Sequence, residues 1–192
     1  MRKPYLHMPI IEFDHYRLRT IHVTDDKDMF EYGKDPLVTK YLTWGPYLIV
    51  EEATQTIKSI FYPRVKDKLP IGYAIVDLET KKMIGTIDFH SKIKKENGAE
   101  IGFALHRDYW NKGIMTRCLK EMISIGFNHL KYDFIQIKHL KQNVASQKVI
   151  SKTGFRLVKV EKYTYEKRKE VIQDDLYIYV MTKEDFYVNQ QS

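Results

Sequence analysis

Hydrophobic positions change their period along this chain, and each change marks an element. Residues 17–23, Arg17-Leu18-Arg19-Thr20-Ile21-His22-Val23, alternate basic or polar with apolar side chains, the period of a strand. Thr24-Asp25-Asp26 then predicts a helix start, with acids at the positive end of the helix dipole, and Asp35-Pro36 stops that helix. Apolar or small residues at 50, 53, 57, 60 and 61 have helical spacing. Residues 72–78 and 83–90 read as strands joined by the turn Glu79-Thr80-Lys81-Lys82, a hairpin. A charged connection over 92–98 ends in the turn dipeptide Asn97-Gly98 and leads to a third strand over 100–105. Helical spacing returns over 114–130, where Leu119, Met122, Ile123, Phe127 and Leu130 share a face. A strand over 134–139, a short helix over 143–152 stopped by Gly154, and closing strands over 155–165 and 175–182 complete the pattern.

The order β-α-α-β-β-β-α-β-α-β-β predicts a mixed α/β fold with helices between the later strands. No repeat, low-complexity tract or flexible linker interrupts it, so residues 1–192 are expected to form a single domain. Hydrophobic residues make up 43% of the 192 positions, enough for a core, which excludes global disorder. No apolar run approaches the roughly 20 residues that a spanning helix requires. The opening Met1-Arg2-Lys3-Pro4-Tyr5 is charged with no apolar segment behind it, so a secretory leader is not expected. The one cysteine, Cys118, can form neither an internal disulfide nor a thiolate cage, and the expected compartment is the cytoplasm.

A net charge of +7 raises the question of nucleic acid. The basic residues interleave with acids, however, as in Lys94-Lys95-Glu96 and Glu166-Lys167-Arg168-Lys169-Glu170, the pattern of a solvated surface. A basic rim for a polyanionic nucleotide cofactor is the milder functional reading. No DNA or membrane partner is expected. The seven histidines are scattered without metal-ligand spacing, so no metal site is expected, and no G-x-S-x-G turn is present.

Chemistry concentrates between the third strand of the hairpin region and the long helix. Trp110-Asn111-Lys112-Gly113-Ile114-Met115-Thr116 leads from strand to helix start through a glycine. Free N–H groups at a helix N-terminus, with the dipole, make an anion site; Lys112 adds charge and Gly113 permits close approach. Taken alone, an ordinary strand-to-helix turn is the more frequent explanation, and neither a Walker-type P-loop nor a G-x-G-x-x-G fingerprint is present. Further on, Asn143 is placed to cap a helix, with Ser146 one turn in.

Four ordered motifs together resemble the GNAT superfamily of acyl-CoA-dependent N-acetyltransferases. They are Glu100-Ile101-Gly102-Phe103-Ala104-Leu105, then 109–116, then Asn143-Val144-Ala145-Ser146, then Lys152-Thr153-Gly154-Phe155. Within that superfamily the chain is most similar to the RimJ/RimL-like branch, the ribosomal-protein N-terminal acetyltransferases, over about residues 12–187. Arg17-Leu18-Arg19, Asp35-Pro36 with Tyr41-Leu42, and 175–179 fit the branch too. One departure is Met115, where the family's diphosphate motif ends in a small residue.

The resemblance implies a GNAT-like fold: a central mixed, mostly antiparallel twisted sheet of about seven strands, flanked by helices, with splayed central strands. It implies acetyl-CoA as cofactor, lying between the strands over 100–105 and 134–139. Phe103, Ala104, Leu105, residues 110–116, Asn143 and Ser146 would contact it. Strand alternation puts Glu100, Gly102 and Ala104 on one face, with room for a ligand, and Ile101, Phe103 and Leu105 on a core face. Glu100 is the candidate general base, with a solvated strand-end charge as the plain alternative, and Ser146 is the candidate donor to the leaving thiolate. Asp88 and His90 share a strand face and are alternative bases or acceptor contacts, though such residues are more often ordinary polar surface. Tyr41, Trp44 and Tyr47 could wall the acceptor site, or simply pin a loop. Cys118 reads as a packed thiol.

The expected acceptor is a protein N-terminal α-amine. A small-molecule amine (a polyamine or an antibiotic) stays open beside it, as does a non-catalytic module holding acyl-CoA or RNA. A homodimer is compatible with the sequence.

Overall fold

The computed structural model describes residues 3–93, 96–167 and 170–191; Met1, Arg2, Lys94, Lys95, Arg168 and Lys169, named above, lie outside the described residues. Eight strands hydrogen-bond in the order β1-β2-β3-β4-β5-β6-β8-β7. They are β1 (Ile11–Phe13), β2 (Tyr16–Thr20), β3 (Tyr73–Asp77), β4 (Met83–Ile93), β5 (Gly98–Leu105), β6 (Phe134–Leu140), β7 (Arg156–Lys167) and β8 (Glu170–Thr182). The helices are α1 (Asp26–Gly33), α2 (Pro36–Thr39), α3 (Val50–Thr56), α4 (Ile114–Ser124), α5 (Val144–Ile150) and α6 (Lys183–Gln191). The pairs β1–β2, β2–β3, β3–β4, β6–β8 and β7–β8 are antiparallel, and β5–β6 is parallel. The mixed, mostly antiparallel sheet expected from the sequence is therefore present. The added strand, β1, has three residues, too few to show a period. Among the described residues no helix is long and apolar enough to cross a membrane.

The chain divides into two compact units, Met1–His90 with Gly102–Ile114, and Ser91–Ile101 with Met115–Ser192. In the first, Ile21, Met29, Tyr32, Ala53, Ile57, Phe61, Ala74, Val76 and Met83 form the buried core. The acids expected to serve the dipole of α1 have more specific partners. Asp25 is buried, takes both guanidinium nitrogens of Arg19 at 2.8 and 2.6 Å, and also accepts from the His22 N–H at 2.8 Å. Asp26 accepts from the Thr54 hydroxyl at 2.7 Å and so ties α1 to α3, and Asp28, an acid not expected there, accepts the N–H of Met83 at 2.9 Å and ties α1 to the start of β4. Asp35 caps α2 by accepting from the Leu37 N–H at 2.9 Å, so Asp35-Pro36 begins a short helix as well as ending α1.

The helix expected over 50–61 is α-helical only to Thr56. It widens into a π turn, Ile57–Phe61, and tightens into a 3-10 turn, Tyr62–Asp67. Pro63 explains the change, because a proline offers no N–H to the preceding turn. In the second unit, Cys118, Leu119, Met122, Phe127, Ile135, Ile137, Ile150 and Met181 are buried, and Phe127 stacks on Phe186 with ring centroids 5.0 Å apart.

Candidate active site

The turn between β5 and α4 begins with a backbone bond from the His106 N–H to the Ile84 carbonyl at 2.7 Å. A 3-10 turn, Arg107–Tyr109, follows, and the Trp110 indole donates to the Leu105 carbonyl at 2.8 Å. Trp110 also packs against the first unit's core, so its side chain serves the fold. Asn111 (φ 60°) and Gly113 (φ 78°) both take the left-handed conformation. Asn tolerates that region through its short polar side chain, and Gly needs no tolerance. Nothing lies within 4 Å of where a Cβ on Gly113 would stand.

Asn111, Lys112 and Gly113 are exposed, while Ile114 and Met115 turn inward and are buried. Met115, the departure from the family motif, thus fills the interior and does not crowd the outer face of the loop. The first N–H groups of α4, including those of residues 114–116, have no carbonyl of the same helix to bond. Open space at Gly113, exposed residues, helix-start amides with no carbonyl of their own helix to bond, and Lys112 suit an extended diphosphate.

Asn143 precedes α5, and its side-chain oxygen accepts from the Ser146 N–H at 3.1 Å. The capping role read from the sequence is therefore present, and Asn143 and Ser146 are both half-buried.

Glu100 is no solvated strand-end charge. Its carboxylate is 13% exposed, and Oε2 takes the Lys138 ammonium at 2.9 Å and the Gln136 amide at 2.9 Å. The ladder causes this: Glu100 lies directly opposite Gln136 in the parallel β5–β6 pair. That ladder runs from Gly98↔Phe134 to Ile101↔Ile137, whereas β5 extends to Leu105 and β6 to Leu140.

Strict alternation fails over 102–104. Ala104, assigned to a ligand face, belongs to the core, and Phe103, assigned to the core, is half-buried. Space beside Gly102 is taken by His90, whose ring would meet an added Cβ at 2.8 Å. Burial on both faces of this stretch removes the contrast on which alternation depends.

Asp88 is not a surface residue. It is buried and ion-paired with Arg64, itself buried, at 3.1 Å, and the Arg64 guanidinium lies over the Phe61 ring, 4.2 Å from its centroid. His90, two residues on, is exposed. Trp44 stacks on Tyr47 at 5.3 Å and meets Tyr32 edge-on at 6.5 Å, so these aromatics pin the loop into the core. The Tyr47 hydroxyl donates to Thr56 at 3.0 Å, and burial pushes the phenol up to about 12. Tyr41 stays half-buried with the Lys40 ammonium 5.1 Å from its ring centroid.

Two groups carried no sequence signal. Arg64 is one of many basic residues, and nothing local marks it as buried. His139 is buried on β6, stacked on Tyr177 at 5.3 Å and Tyr179 at 5.4 Å. Its Nδ1 lies 2.8 Å from the Leu140 carbonyl, which makes that nitrogen the donor. Nε2 therefore accepts from the Tyr179 hydroxyl at 3.2 Å.

This fold is that of a solved GNAT-family acetyltransferase. Residues 15–156 match the family model described as acetyltransferase (GNAT) domain, and the chain belongs to that family. It is an acetyl-CoA-dependent N-acetyltransferase. It is 31% identical to an uncharacterized N-acetyltransferase, p20, of Bacillus licheniformis over 170 residues, covering 88% of this chain and 93% of the relative. A solved GNAT-family acetyltransferase from Bacillus anthracis superposes with a TM-score of 0.78 at 22% identity, over 92% of this chain and 99% of that one. RimL, a ribosomal L7/L12 alpha-N-protein acetyltransferase solved with coenzyme A, superposes with a TM-score of 0.77 at 19% identity, over 91% and 98%.

Proposed function

We propose that this chain acetylates the α-amine at the N-terminus of a protein. The exposed loop 111–113, left-handed at Asn111 and Gly113 and carrying Lys112 into α4, is the observation that carries the cofactor half of this reading. The acceptor half is supported by the residues that fit the RimJ/RimL-like branch, Arg17-Leu18-Arg19, Asp35-Pro36 with Tyr41-Leu42 and 175–179, and by the likeness to RimL.

Acetyl-CoA, when bound, supplies an acyl group activated as a thioester. The amides and charge of 110–116 hold its diphosphate. Phe103, Ala104 and Leu105 offer strand backbone to its pantetheine arm, and Asn143 offers a side-chain amide. With acetyl-CoA bound, the Ser146 hydroxyl would be the donor to its sulfur, where a hydrogen bond stabilises a leaving thiolate. The acceptor must lose a proton to attack, and Glu100 takes it, with Oε2 fixed by Lys138 and Gln136. Tyr41 and His90 remain the acceptor contacts that this reading uses. Trp44, stacked on Tyr47, and Asp88, paired with Arg64, are engaged within the fold and are not used as acceptor contacts.

Thiol release with acetyl-CoA tests this, against a panel of short peptides with free N-termini and a panel of polyamines and aminoglycosides. Peptide turnover, with the acetyl group on the N-terminal nitrogen by mass spectrometry, is expected. Turnover confined to small amines would move the acceptor class. Replacing Glu100 with Gln should lower kcat by about 10²-fold or more while leaving coenzyme A affinity unchanged. An unchanged rate would end the assignment of the base.

A further inference from the structure

The turn that precedes the diphosphate loop is tied down by side chains within its own unit. The Arg107 guanidinium reaches Asp35 at 3.1 Å. The Tyr109 hydroxyl donates to Asp77 Oδ2 at 2.7 Å. Asp77 ends β3, is buried, and is itself immobilised: its Oδ1 accepts from the Glu79 N–H at 2.9 Å, and its own N–H bonds the Lys82 carbonyl at 2.9 Å. The edges of two other rings bound Tyr109, Tyr16 at 6.4 Å and 79° and His106 at 5.9 Å and 88°. Over its ring stands the Lys112 ammonium, 5.0 Å from the centroid. Burial and then the bond to Asp77 push the phenol's pKa up, so it remains a neutral donor.

We propose that Asp77 and Tyr109 are a positioning pair for cofactor binding: Asp77 fixes the Tyr109 ring, and the ring fixes the Lys112 ammonium for the anionic end of the cofactor. A lysine on an exposed loop otherwise samples many rotamers, and ordering it on binding costs entropy. A ring whose hydroxyl donates to a carboxylate is richer in electrons and a better seat for a cation. The pair acts through Lys112 and touches no reacting atom. This rests on the reading of 110–116 as the diphosphate loop.

The test is a double-mutant cycle on coenzyme A affinity, by calorimetry, with Tyr109→Phe, Lys112→Ala and the combination. Phenylalanine keeps the ring and removes the hydroxyl, with its bonds to Asp77 and Thr80. Tyr109→Phe is expected to weaken coenzyme A about 3–10-fold, and Lys112→Ala by at least as much. The combination should bind no more weakly than Lys112→Ala alone, because both act through one ammonium. Asp77→Asn should weaken binding in the same direction. If Tyr109→Phe leaves affinity unchanged, or if its effect simply adds to that of Lys112→Ala, the pair has no positioning role. If Lys112→Ala itself leaves coenzyme A affinity unchanged, the diphosphate-loop reading fails and takes the pair with it.

Discussion

Cys118 lies in α4 with no exposed surface, and burial pushes its thiol up to about 12. Almost none of it is thiolate at pH 8, and reagents cannot reach it. Iodoacetamide should therefore leave the native protein unlabelled and modify it stoichiometrically in denaturant, as read by intact mass. Fast native labelling would show that α4 opens. Asp77 carries a pH-linked prediction. Burial acts to raise its pKa, but hydrogen bonds from the Tyr109 hydroxyl, the Glu79 N–H and Thr80 outweigh burial and hold it below the usual carboxylate value. The folded state therefore prefers the ionised form more than the unfolded state does. The resulting stabilisation is complete above the ordinary aspartate pKa and is lost as pH falls through the lowered one. Thermal midpoints of wild type and Asp77→Asn should differ near neutrality and converge in acid; a gap that does not shrink would contradict the linkage. At this scale local conformation was partly legible: Asn143 caps as its residue type suggests, and Gly154 takes the left-handed φ of 82° expected of a stop signal, but α5 already ends at Ile150, and Gly154 closes the turn that follows it. The fates of Asp77 and Asp88 were not, since their partners, Tyr109 and Arg64, stand far away in sequence.

Between elements, the buried Arg64–Asp88 pair joins the 3-10 turn after α3 to β4. Removing one partner leaves an uncompensated buried charge, which typically costs about 3–5 kcal/mol, whereas replacing both costs far less. Arg64→Met should destabilise the protein by roughly that amount in a urea titration, and adding Asp88→Asn should restore part of it. Strictly additive losses would mean that the two charges do not interact. Helices and strands with a clean period, such as α4 and the β3–β4 hairpin, were visible in the sequence because one face of each meets the core. The π and 3-10 turns after α3 were not, because a change of pitch barely alters the apolar spacing. The alternation over 102–104 misled for the reason that both faces there are covered.

Across the whole chain, the net charge of +7 and the interleaved acids favour a screened attraction for a polyanionic cofactor over a continuous track for nucleic acid. Between 0.1 M and 1 M salt the screening length shrinks from about 10 Å to about 3 Å. Coenzyme A should accordingly bind several-fold more weakly at the higher salt by calorimetry, and salt-independent affinity would contradict a charge-assisted site. The order of strands and helices was largely legible, since it is a list of local periods read along the chain. Strand neighbours were legible only where a short turn joins them, as in β3–β4, or where the resemblance set them together, as with β5 and β6; that β8 lies between β6 and β7 is a choice among partners with similar apolar faces. By itself the sequence determined most of the helices and strands, though not β1, α2 or α6, and which ordered motifs mark the family, because each depends on neighbours a few residues apart. Only the tertiary structure decided that Glu100 meets Lys138, that Asp88 is buried on Arg64, and that Tyr109 leans on Asp77. Ion pairs and hydrogen bonds form where folding happens to bring charges together, and no local period encodes that meeting.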